Sequence, residues 1–170
     1  VSVKDQLGHV AVKNSFQFHC SVCPLAKQKK LPFVSMNHMC NESFDLIHCD
    51  IWGPFHIPSP QGFRYFVTIV DDYTRYTWIF LIKNKSDVQQ VIPRFYNMIF
   101  NQFNKSIKKF RSDNAKELDF QSFFHEKGIL HQHSCVARPE QNAVVERRNH
   151  SLCEAARTML AYANLPQFLW

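Results

Sequence analysis

No apolar run in this 170-residue chain approaches the roughly 18 residues that a membrane-crossing helix needs, and no charged-then-apolar leader opens it. The expected setting is therefore reducing and soluble, in nucleus and cytoplasm, with no membrane partner. Cysteine is present but unorganised. Its six copies stand at 20, 23, 40, 49, 135 and 153, with one Cys-x-x-Cys pair, which suits metal binding or plain burial better than a disulfide framework. Acidic residues are the scarcer charge, 14 against 20 Lys plus Arg, and the net charge of +6 favours a polyanionic partner. The length suits one domain of ordinary size with a small appendage, and 45% hydrophobic content can build a core.

Residues 1–40 lack a sustained period. Lys4, Lys13, Lys27, Lys29 and Lys30 face only Asp5 there, so the segment reads as an irregular basic arm. From Phe44 onward the pattern sharpens. Phe44 to Trp52, Phe63 to Val70 and Tyr76 to Ile82 are β-branched or aromatic runs separated by Gly, Pro and Asp, an antiparallel meander of three strands. Ser86-Asp87 gives a helix-start signal before Val88, Val91, Ile92, Phe95, Ile99 and Phe103, a stripe at helical spacing. Pro93 interrupts the stripe and predicts a kink or a late start. A strand from Ile107 to Arg111 follows, then a helix near Phe120 to Lys127 ended by Gly128, and a strand from Ile129 to Ser134. A last helix, Asn142 to Ala163, is expected to bury Val145, Leu152, Ala156, Met159, Leu160 and Ala163.

Three carboxylates stand out by setting. Asp113 falls in the polar turn Ser112-Asp113-Asn114-Ala115, at the C-terminal end of a strand. Glu146 opens the last helix. Asp50 is the only acid inside an otherwise apolar strand-like run. Asp71 and Asp72 lie at a turn and read as a cap and a salt-bridge partner, while Glu117 and Glu140 read as solvated.

The segments HCDIWGP, VDDYTRYTWIFLIK, RSDNAKEL, GILHQHSC and RPEQNAVVERRN, in that order, resemble the integrase core of copia-type LTR retrotransposon polyproteins, over residues 41–170. The resemblance implies an α/β, RNase H-like fold: a mixed five-stranded sheet, three antiparallel strands then alternating helices and strands, flanked by helices. It implies a DDE polynucleotidyl transferase whose Asp50, Asp113 and Glu146 hold two Mg²⁺ or Mn²⁺ ions, Asp50 bridging both. The reactions would be 3′-end processing and strand transfer, and the partner double-stranded DNA, both element ends and target. Gln141 and Asn142 match loop residues that touch DNA in the family, and Arg147, Arg148, Lys108 and Lys109 would grip phosphates. A homo-oligomer is compatible, and with the core stopping within a family motif at Leu165 to Trp170, the resemblance implies that a fragment of a longer polyprotein is to be expected.

The first forty residues resemble the pre-integrase zinc module of the same family, with His9, His19, Cys20 and Cys23 as the available ligands. The match is degenerate. Lys4 stands where the family has a first His, and only residues 10–19 separate His9 from Cys20. Ala115 and Ala143 replace family glycines, and alanine is penalised wherever that glycine takes positive φ. A non-catalytic nucleic-acid-binding remnant with the same fold is the competing class.

Overall fold

The computed structural model describes residues 40–134, 142–166 and 169. The arm with His9, His19, Cys20 and Cys23, and Gln141 in the loop before the last helix, lie outside the described residues. The elements run β1 (Leu46–Trp52), β2 (Tyr65–Asp71), β3 (Thr77–Ile82), α1 (Val88–Phe103), β4 (Lys109–Ser112), α2 (Gln121–Lys127), β5 (Leu130–His133) and α3 (Ala143–Tyr162). The sheet order is β3-β2-β1-β4-β5. β1, β2 and β3 pair antiparallel, whereas β4 joins β1, and β5 joins β4, in parallel. This is the mixed, helix-flanked, RNase H-like sheet that the resemblance implies.

Alternation along the strands sorts side chains between the two faces. Ile47 pairs with Phe110 and Cys49 with Ile69, and these residues, with Val67, Phe95, Ile99 and Phe124, build the core under α1 and α2. His48 and Asp50 alternate with them and face the other way, towards α3.

Helix α1 buries Val88, Ile92, Phe95 and Ile99 and runs without interruption through Pro93, so the late start does not occur. Burying that stripe outweighs the roughly 3 kcal/mol that an interior proline costs. Asp87 does not cap α1. Its Oδ2 accepts the Asn84 and Lys83 amides at 2.9 and 3.1 Å, closing a 3₁₀ turn over Lys85–Asp87. Gly128 ends α2 at φ 69°, a left-handed cap that glycine adopts without strain.

Helix α3 departs from expectation. It buries Val145, Asn149 and Cys153, at i, i+4 and i+8, while Leu152, Ala156 and Leu160 are half-buried. Met159 (69% exposed) and Ala163 face solvent. The apolar residues near the helix end sit beyond the sheet that would cover them. Among the described residues no helix is long and apolar enough to cross a membrane.

Candidate active site

Asp50 lies on β1, the central strand, opposite Thr68 of β2. Its Oδ2 accepts the Asn149 amide Nδ2 of α3 at 2.7 Å, which ties helix to sheet at the carboxylate itself. Asp113 follows the last residue of β4. In the pleat it shares parity with Arg111, opposite to Phe110 and Ser112, so the alternation assigns it to Asp50's side of the sheet. Its Oδ1 accepts the Ala115 amide at 3.1 Å, the two-residue Asx turn expected of an aspartate ending a strand. Glu146 projects from the first turn of α3 and is exposed.

The electrostatics bring the three together. Burial, first, then the negative charge of Asp113 and, more weakly, that of Glu146 push the Asp50 carboxyl up to about 6. The Ile51 amide and Asn149 pull in the opposite direction. A carboxylate so placed is an anion short of a counter-cation. The three acids nonetheless stand short of ligand spacing: among the described residues no group of three His, Cys, Asp or Glu side chains gathers closely enough to hold an ion. The donor set is all oxygen, which suits a hard cation such as Mg²⁺ or Mn²⁺.

The two alanines carry no strain. Ala115 has φ −63°, and Ala143, the first residue of α3, is not among the positive-φ residues either. The expected penalty at Ala115 and Ala143 therefore does not arise.

The turn beside the site is built by the adjacent acids. Asp71 accepts the Phe44 amide at 2.8 Å and the Thr74 amide and hydroxyl at 2.9 and 2.6 Å, closing the β2–β3 turn. Asp72 receives the His48 Nε2 and the Arg75 guanidinium, both at 3.0 Å, and this pairing, led by His48, holds it down at about 2. The turn ends on Arg75 at φ 61°, and the Arg75 carbonyl accepts the Arg148 guanidinium at 3.1 Å.

The basic residues separate into two groups. Arg147 and Arg148 stand with Arg75, Val70, Val144 and Ser151 around a cavity of about 230 Å³ one turn from Glu146. Lys108 and Lys109 lie at the opposite end of β4 from Asp113, and the Lys108 ammonium sits 2.6 Å from Asp45. Asn142 immediately precedes α3. It is 2% exposed, with neither side-chain amide atom hydrogen-bonded among the described residues. Asn149 is the site residue that sequence reasoning missed. Its signal was a polar side chain on the Val145, Cys153 stripe, where burial requires a polar partner.

Residues 41–139 match the family described as integrase core domain, a stretch that holds Asp50 and Asp113 and stops short of Glu146. The chain is 33% identical over 154 residues to the retrovirus-related Pol polyprotein from transposon TNT 1-94 of Nicotiana tabacum, covering 89% of this chain and 12% of that protein. To the corresponding polyprotein from transposon RE1 of Arabidopsis thaliana it is 34% identical over 152 residues, 89% of this chain and 10% of that protein. The chain thus spans about a tenth of the length of these relatives. Among solved structures it is similar in fold to a chain of a simian T-cell lymphotropic virus intasome in complex with PP2A regulatory subunit B56 gamma. That match has TM-score 0.54 and 19% identity, and covers 72% of this chain and 43% of the other. With the mixed sheet and the acids at its centre, these matches place the chain in the integrase core domain family, within the polynucleotidyl transferase superfamily, alongside retrotransposon Pol polyproteins.

Proposed function

We propose that this chain is the catalytic core of a copia-type retrotransposon integrase, acting on double-stranded DNA by 3′-end processing and strand transfer. The observation that carries the reading is the Asp50 carboxyl on the central strand, pushed up to about 6 by its burial first and then by the charges of Asp113 and, more weakly, Glu146. Asp50, Asp113 and Glu146 would hold two Mg²⁺ or Mn²⁺ ions. When bound, such ions activate the attacking oxygen and stabilise the leaving one.

The chain's own residues supply the frame. Asn149 fixes one Asp50 oxygen. The Asx turn at Asp113 holds its carboxylate at the strand end. Arg147, next to Glu146 on α3, offers a cation to phosphates, a contact that is sequence-independent, while Arg75 is held by Asp72. Arg148 braces the β2–β3 turn against α3. In end trimming, water attacks a phosphodiester and a 3′-hydroxyl departs. In joining, that hydroxyl attacks a target phosphodiester, one P–O bond forming as another breaks. A nuclear site of action follows from the substrate, and the intasome likeness supports a homo-oligomer.

The wider spacing of the acids favours a second reading, a DNA-binding core that takes up no metal. Calorimetric titration with Mn²⁺, wild type against Asp50→Asn, separates the two. The enzyme reading expects Mn²⁺ uptake in the wild type, and its loss, along with strand transfer, in the variant at near-unchanged DNA affinity. Absence of uptake by the wild type, or full joining activity in the variant, overturns it.

A further inference from the structure

On the face of the sheet opposite Asp50, the edge strand β5 carries two imidazoles side by side. We propose that His131 and His133 form a two-histidine site for a transition cation of the Zn²⁺, Ni²⁺ or Cu²⁺ class, separate from the carboxylates. The two residues alternate along β5 and so project to the same face, with ring centroids 4.0 Å apart.

His131 is the fixed member. Its ring packs 4.9 Å from that of Phe124 and 5.9 Å from that of Phe110, centroid to centroid. Its Nε2 lies 2.9 Å from Ser112 Oγ, and the Ser112 hydroxyl itself donates to the Asp113 carbonyl at 3.0 Å. With that proton spoken for, the Nε2–H of His131 donates to Ser112, and the ring's lone pair rests on Nδ1. Nδ1 is buried with no hydrogen-bond partner among the described residues. One ring nitrogen held by a hydrogen bond and the other presenting a free lone pair is the arrangement of a metal-bound imidazole. Burial, with His133 beside it, pushes His131 down to about 4, so the donor is neutral at physiological pH.

His133 is the exposed member, on the sheet edge, and in the proposed site rotation about its side-chain bonds would bring a nitrogen beside His131 Nδ1. Two imidazoles select borderline cations over Mg²⁺ or Mn²⁺, which prefer oxygen. Among the described residues no third His, Cys, Asp or Glu completes the group, so water or an outside ligand fills the remaining positions.

The test is copper titration of the full chain, with Cu²⁺ supplied as its iminodiacetate complex and read by electron paramagnetic resonance. The wild type should show a component with two imidazole nitrogens that excess Mg²⁺ does not displace. His133→Leu, at an exposed position that leaves the fold intact, should lose that component together with one copper equivalent. Its affinity at the site should fall at least about tenfold, because the second donor no longer acts at high local concentration. Identical spectra and stoichiometry in wild type and His133→Leu would overturn the site.

Discussion

Helices α1 and α3 flank opposite faces of one sheet and use their buried sides differently. The buried stripe of α1 is wholly apolar: Val88, Ile92, Phe95 and Ile99. That of α3 is Val145, Asn149 and Cys153, and its polar member hydrogen-bonds Asp50. Where α1 buries a side chain, it holds the sheet together. Where α3 does so, it positions a carboxylate, and the last turns of the helix go uncovered.

The largest expected effect falls on α1. Phe95 is fully buried, its ring 5.1 Å from Trp78 and 6.3 Å from Phe80. Phe95→Ala should cost roughly 3–5 kcal/mol, transfer free energy plus an unfilled cavity, as a fall in the urea midpoint at unchanged slope. A loss under about 1 kcal/mol would mean that the core collapses to fill the gap, and the contrast between the helices would weaken.

At the α3 face the sign reverses. Asp50 titrates at about 6 in the folded chain and near 3.9 when unfolded, so the folded state binds the proton more tightly between those values. The cost of ionising it is absent below about pH 4, grows as pH rises to about 6, and is complete above that. Two pH units correspond to roughly 3 kcal/mol. Without divalent ions, Asp50→Asn should therefore stabilise the chain at pH 7 by up to roughly that amount and leave it unchanged at pH 4. An equal effect at both pH values would mean that neither burial nor the acids around Asp50 raise it.

A smaller effect belongs to the turn between β2 and β3. Asp72 titrates at about 2, below its unfolded value, so its contribution is present above about pH 4 and fades as pH falls towards 2. Partial exposure lets solvent screen the pair, so Asp72→Asn should cost about 1 kcal/mol at pH 7. The difference should vanish in acid, and thermal melts of both proteins from pH 2 to 7 check it.

Asp50, Asp113 and Glu146 stood out as candidates by setting, an acid in an apolar strand, a strand-end turn and a helix start, and only the resemblance grouped them as one site. The succession of strands and helices along the chain followed from the same periodicities, while the mixed sheet was what the resemblance implied. The burial pattern of α3 was not legible, since periodicity identifies an apolar stripe without saying how far the sheet extends beneath it. Met159 fits the stripe and misses the sheet. Pro93 predicted a break from local geometry alone, and the four buried residues of α1 overrode it. The Asn84 and Asp87 turn was hidden for a similar reason: Asp87 carries a cap signal, and only the folded backbone decides which amides it meets.

The smallest expected effect is at the far end of α3. Met159 is 69% exposed and Tyr162 95% exposed, so truncating either removes side-chain atoms already in water. Met159→Ala and Tyr162→Ala should each change stability by no more than about 0.5 kcal/mol, with alanine's better helix propensity offsetting part of any loss. The measurement is informative because it is run across protein concentration. A loss above about 1 kcal/mol that grows as the protein is concentrated would mean that a second copy covers these turns in solution. The uncovered end of α3 would then be an association surface, and the contrast with α1 would narrow to which partner each helix packs against.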